Sequence, residues 1–448
     1  MHAIVFNREK LFKKCLVLNI EILNYMIYHI KPAILTLLMV SAILFSCKKD
    51  TKWKGQEPLK KVSTQTRPIQ YQLKKTYTLG NGIYCSNEFA GARMNGAVLT
   101  NDTLITVLIT AENTPVNESP WYAFKIWSEK PKKVKIKITY SEGVSHRYYP
   151  KISRDKSNWE NVDSVYYLID TASVSKGEKP KFCTFSLSIN PDTTWISAQE
   201  LITSTEINNW SAKLDEKPFV SMQEIGKSIE GKPINLLQIG NPESKKMIMV
   251  LSRQHPPEVT GWLAMKWFVE TLCYETVDAE RFRNEYCVFV VPLVNPDGVE
   301  NGHWRHNSGG IDLNRDWEDF NQPETRAIRD FMQKKVAEGG KFYFGIDFHS
   351  TFEDIYYTID PKLKGNLPGL VPDLINAVGD DIPGYEPNIR PNDTNEPKIS
   401  STSFFFYEFG AESVTYEIGD GTSREIIRTK GELTAKKLME ILNKKQIK

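Results

Sequence analysis

None of the six cysteines pairs with another as C-x-x-C, which removes zinc-finger and thioredoxin-type sites. The chain also lacks an excess of charge. Beyond residue 46 it holds 52 basic against 53 acidic side chains, and a near-neutral body offers nucleic acid no electrostatic footprint. There are no internal repeats, and no low-complexity tract apart from one lysine-rich stretch. A composition of 40% hydrophobic and 25% charged residues excludes extended disorder. No apolar run is comfortably long enough to span a bilayer: Pro32–Ser46 falls short of the roughly 20 residues a helix needs. Histidine is scarce. Only seven occur, two of them in the first 46 residues, and four of the other five fall between His255 and His349.

With 448 residues, the chain exceeds the size at which one core keeps growing, so two folded units are expected. Residues 1–47 end in "PAILTLLMVSAILFSC", preceded by basic residues, and resemble a bacterial lipoprotein signal. That resemblance implies lipid modification at Cys47, a membrane anchor through it, and a cell-envelope location outside the cytoplasm. Residues 48–75 ("KKDTKWKGQEPLKKVSTQTRP" and on) are polar and lysine-rich, as a tether would be. If Cys47 is lipidated, Cys85, Cys183, Cys273 and Cys287 remain, and their spacing demands no disulfide.

Residues 76–201 read as short strands between turns. "KVKIKI" alternates charge with Val and Ile, as a half-buried antiparallel strand does, and the whole predicts an all-β sandwich. Residues 202–218 contain a linker helix capped by Thr203 or Ser204. From 219 to 448 apolar strands ("KMIMVLS", "YCVFVVPLVN", "FYFGIDFHS", "SVTYEIGD") alternate with helices. This predicts an α/β domain with a mixed, largely parallel sheet covered by helices on both faces.

Chemistry concentrates in the second unit. His255 and Glu258 follow a buried strand, separated by Pro256 and Pro257, where a strand gives way to a helix. Both can turn toward the C-terminal edge of the sheet, the usual ligand edge of open α/β folds. His349 ends another strand at the corresponding edge. Two histidines and a carboxylate form a hydrolytic zinc set that leaves a position for water. The bland readings are a first-turn glutamate and a hydrogen-bonded strand-end histidine. His146 reads as a surface or loop residue, and His303 and His306 as non-ligands. Asp347, two residues before His349, is either a partner of that ligand or structural.

The order H-P-x-E, N-P-D-G, W-R, D-x-N-R, a strand ending H-S and a late strand carrying T-x-E resembles the zinc carboxypeptidase family (peptidase family M14). The layout, with a β-sandwich in front, is similar to the cytosolic-type subfamily. The resemblance implies zinc, one ion per chain, on His255, Glu258 and His349. It implies Glu417 as general base and later proton donor to the leaving amine, Arg305 as oxyanion stabiliser, and Asn314 and Arg315 as the grip on a peptide's free C-terminal carboxylate. It also implies a loop tyrosine some twenty residues before Glu417. None stands there, and Tyr407 is only ten residues upstream. The side-chain selector is expected among Ser400–Ser403, none of them charged. Two rival functions stay open. One is a cell-wall stem-peptide peptidase, amidase or deacylase using the same zinc site; the other is an inactive scaffold beside a binding sandwich. Arg305 and Arg315 pairing with Asp312 or Asp316, and Glu417 as a solvated strand end, are the plain alternatives for those residues.

Overall fold

The computed structural model describes residues 59–392 and 397–445; the proposed signal segment and Cys47 lie outside them. The first unit contains eleven strands among the described residues: β1 (Thr76–Gly80), β2 (Ile83–Ser86), β3 (Gly96–Leu99), β4 (Leu104–Ile109), β5 (Ala123–Ser128), β6 (Lys132–Tyr140), β7 (Lys151–Ser153), β8 (Glu160–Asn161), β9 (Tyr167–Ile169), β10 (Phe182–Ile189) and β11 (Thr194–Ser197). They form two sheets, ordered β1-β2-β5-β11-β7-β8 and β3-β4-β6-β10-β9. All pairs are antiparallel except β4 with β6, which run parallel. In β6 the alternation seen in the sequence decides the faces: Val134, Ile136 and Ile138 enter the core while Lys133 and Lys135 stay exposed. Burying each such side chain contributes about 1.5–3 kcal/mol.

Helix α1 (Ser204–Asp215) follows, with Thr203 at its N-cap and Glu206 completing a capping box. The second unit is built on an eight-stranded sheet: β12 (Val220–Lys227), β13 (Pro233–Gly240), β14 (Lys246–Ser252), β15 (Cys287–Val291), β16 (Lys341–Thr351), β17 (Ile355–Thr358), β18 (Ile389–Pro391) and β19 (Glu412–Gly419), in the order β12-β13-β15-β14-β16-β19-β17-β18. The central four, β15-β14-β16-β19, are parallel. The flanks bring in antiparallel pairs. The other helices are α2 (Val259–Leu272), α3 (Val277–Glu285), α4 (Pro296–Asn301), α5 (Pro323–Ala337), α6 (Leu370–Asp380), α7 (Ser401–Phe409) and α8 (Arg424–Lys444).

Period-2 geometry explains the two-sided core. On β14, Ile248 and Val250 pack with Trp262 and Phe268 of α2 and Leu438 of α8. Met247, Met249 and Leu251 pack on the opposite face with Ile328 and Met332 of α5 and Phe405 of α7. The four described cysteines are free and buried, and among the described residues no helix is long and apolar enough to cross a membrane.

The expected tether is corrected from Thr64 onward. Thr64 is buried; its hydroxyl accepts from Asn321 Nδ2 at 2.9 Å and its carbonyl from Gln322 Nε2 at 2.7 Å. Arg67 donates its backbone N–H to Gly309 at 2.8 Å. Gln72 Nε2 donates to Asn301 O at 3.1 Å. This stretch is a hydrogen-bonded strap. Polar composition hid it, because it is held by backbone and amide groups instead of apolar burial.

Candidate metal centre and active site

Two parallel strands deliver the central groups. After β14 ends at Ser252, Arg253 turns the chain with φ +57°, and His255 and the two prolines lead into α2. Glu258 occupies the N-cap of α2 but makes no capping hydrogen bond. Its carboxylate instead meets His255 Nδ1 at 2.8 Å and His349 Nδ1 at 2.7 Å. His349 stands on β16, beside Glu417 of β19 in parallel register. Gly261 lets α2 approach closely: a Cβ there would lie 2.3 Å from the His349 carbonyl oxygen, and its N–H donates to Ser350 Oγ at 2.8 Å.

The far nitrogens of both rings are also held. His255 Nε2 lies 2.8 Å from Asp312 Oδ1, and His349 Nε2 lies 2.8 Å from Asp347 Oδ2. Such carboxylate partners fix ring orientation and leave Nδ1 facing the shared point. Burial works against a charged His349, but Asp347 and Glu258 outweigh it and hold its pKa well above the ordinary value. Burial would raise the Glu258 carboxyl, yet His255 and His349 keep it well below the usual range. Negative charge thus converges on two imidazoles whose donor atoms, with the Glu258 carboxylate, lie within 4.8 Å of one another. All three residues are buried. Two nitrogens and one oxygen, each ring oriented from behind, fit a zinc ion with an open position.

The same cleft, about 160 Å³ in volume, is lined by Arg305, Asn314, Arg315 and Glu417 along with His255 and Glu258. Arg305 does pair with Asp312, Nε to Oδ2 at 2.6 Å, so one carboxylate steadies both a candidate ligand and the arginine. Asn314 is buried; its Oδ1 accepts the Ser401 N–H at 3.0 Å and its Nδ2 approaches His349 Nε2 at 3.4 Å. Glu417 Oε2 is buried without a hydrogen-bond partner, a polar atom waiting for a ligand. Burial and the Glu258 charge push the Glu417 carboxyl up to about 7.

A family profile described as zinc carboxypeptidase matches residues 207–423. Residues 207–423 of the chain are thus similar to a zinc carboxypeptidase domain. Human cytosolic carboxypeptidase 2 is 26% identical over 276 residues, covering 55% of this chain and 30% of that protein. Cytosolic carboxypeptidase 6 of Caenorhabditis elegans is 30% identical over 133 residues, covering 28% and 29%. The chain therefore spans about a third of the length of these curated relatives. A metallo-carboxypeptidase from Burkholderia cenocepacia matches with TM-score 0.66 and 18% identity, over 81% of this chain and 98% of that one. One from Pseudomonas aeruginosa, solved with (2-guanidinoethylmercapto)succinic acid, matches with TM-score 0.66 and 18% identity over 80% and 98%. That coverage extends beyond the profile's span, so the fold likeness takes in much of the sandwich too.

Around the candidate metal centre, His255, Glu258, Arg305, Asn314, Arg315 and Glu417 line one cleft, and Ser400 and Thr402 also line it. His303 and His306 stand outside the metal group. His303 Nδ1 meets His306 O at 2.9 Å, and His306 Nδ1 meets Asn113 Oδ1. His146 is corrected: it is buried, with Tyr140 and Tyr167 hydroxyls 2.7 and 2.8 Å from its two nitrogens, and burial lowers its pKa to about 4. Tyr407 lies on α7 with Lys398 over its ring at 4.0 Å. The phenol in the cleft belongs to Tyr357, which sequence reasoning missed because it stands on a strand far from the expected loop. Asp312 was missed as the His255 partner, although the D-x-N-R motif carried it. Arg147, from the sandwich, lines the cleft as well.

Proposed function

We propose that the protein is a zinc metallocarboxypeptidase that releases C-terminal residues from peptides. The observation that carries this reading is a His-Glu-His donor set at a small cleft that also gathers a carboxylate with one unpartnered oxygen, a buried arginine and an Asn-Arg pair. Zinc on His255, Glu258 and His349 supplies Lewis acidity. Asn314 and Arg315 bind the substrate's terminal carboxylate, for which a guanidinium is the matched partner. This places the last peptide bond beside Glu417. Glu417 takes the proton from the attacking water as oxygen bonds to the carbonyl carbon, and returns it to the amine nitrogen as the C–N bond breaks. Arg305, its guanidinium aimed by Asp312, faces the developing oxyanion. An inert scaffold has no use for this set. Anchoring through a lipid on Cys47, and action in the cell envelope, belong to the same proposal and rest on the signal-like segment.

The test is a peptide library, each member with a free or an amidated C-terminus, incubated with zinc-loaded protein and with Glu417→Gln. Stepwise trimming of free ends alone, lost in the variant, is expected. No trimming by zinc-replete protein overturns the reading and favours cell-wall peptides or acyl amides.

A further inference from the structure

Arg305 is useful only if its backbone is fixed, because a displacement of an ångström at a reacting group is enough to cost about a hundredfold in rate. The fixing comes from the other domain. Glu112 follows β4 in the sandwich and is wholly buried. Its Oε2 accepts the Trp304 N–H at 2.8 Å, and its Oε1 accepts those of Arg305 at 3.0 Å and His306 at 2.8 Å. Three consecutive amides of the active-site loop thus converge on one carboxylate.

The loop is pinned on both sides of Arg305. The Trp304 ring is fully buried in the sandwich core, with its indole N–H on Trp121 O at 3.1 Å. His306 is held by Asn113, the residue after Glu112. Arg305 is therefore clamped at its backbone by Glu112 and at its guanidinium by Asp312. Burial alone would raise the Glu112 carboxyl; His303, Arg93, His306 and the amide hydrogen bonds outweigh it and hold it at about 2.

We propose that Glu112 is a positioning residue for the hydrolytic reaction, through which the sandwich domain completes the oxyanion site by locking the Trp304–His306 backbone. The proposal rests on the reading of Arg305 as oxyanion stabiliser. A glutamine at 112 keeps the size but offers one acceptor oxygen and turns an N–H₂ donor toward amide donors, so at least one amide loses its bond.

The experiment uses the full, zinc-loaded chain and compares wild type, Glu112→Gln, Arg305→Gln and the double variant. The expected result for Glu112→Gln is a fall in kcat of about 10- to 100-fold, with KM within twofold and zinc content unchanged. The double variant should be no slower than Arg305→Gln alone. Hydrogen exchange at the Trp304–His306 amides should quicken in Glu112→Gln. Unchanged kcat, or losses that multiply in the double variant, would overturn the proposal. Should Glu112→Gln not fold, Glu112→Asp, which keeps the charge but shortens the reach, is read by the same comparison. Wild type without carboxypeptidase activity refutes the functional reading instead, and amide exchange then still decides whether Glu112 locks the loop.

Discussion

The two domains reach the same cleft by different physical means. The α/β domain places its groups at the ends of parallel strands, where a core buried on both faces sets each Cα: His349 and Glu417 are register neighbours on β16 and β19. The sandwich sends side chains across the seam. Glu112 takes backbone amides, and Arg147 pairs Nε with Asp420 Oδ2 at 2.7 Å, with both side chains largely buried. Position on strands comes from packing that many residues share, whereas position across a seam rests on a few polar bonds. One is tolerant of single changes; the other concentrates its load.

The sharpest break falls on the strand side, at a ligand itself. His349→Ala is expected to lose stoichiometric zinc after dialysis and all peptide trimming, while the fold survives; metal analysis beside circular dichroism checks it. Next comes Trp304→Ala, a residue of the α/β domain seated in the sandwich core. It should cost about 3–5 kcal/mol in urea unfolding. A cost below 1 kcal/mol would mean that the seam carries no such load.

Acid provides a third, milder probe. The folded Glu112 carboxyl sits at about 2, against about 4.3 in an unfolded chain. The depressed value means that its stabilisation is complete above pH ~4.3 and drains away as pH falls toward 2. The amount is on the order of 3 kcal/mol. The stability gap between wild type and Glu112→Gln should narrow over that window in urea titrations. The groups facing this carboxyl, Arg93, His303 and His306, stay in place in both proteins. The smallest effect belongs to Lys266→Ala, which removes a pair with Glu270 at 2.8 Å on the surface of α2. No more than about 0.5 kcal/mol is expected. A larger loss would erase the distinction between seam and surface polar bonds.

Much of the α/β domain was legible because local pattern and tertiary demand agree there. "KMIMVLS" coincides with β14, and the helix after it begins one residue past Glu258. His255, Glu258 and His349 were legible as candidate ligands because strand-end placement is itself a local signal, and the structure brings their donor atoms together. Glu112 was not. It is a lone glutamate in a loop, and the nearest amide that its carboxylate accepts from is 192 residues away. Arg147 is hidden for the same reason: its carboxylate partner stands 273 residues on. The parallel pairing of β4 with β6 also escaped, since alternation fixes which face a residue takes but not the direction of its neighbour. His146 looked like a loop residue because nothing local announces the two tyrosines that flank it.

The strap that begins at Thr64 has a geometric consequence. Thr64, Arg67 and Gln72 are tied in turn to Gln322, Gly309 and Asn301, so the strap runs opposite in direction to the segment it clasps. A pull on the chain ahead of Thr64 would load these bonds before any bond of the sandwich.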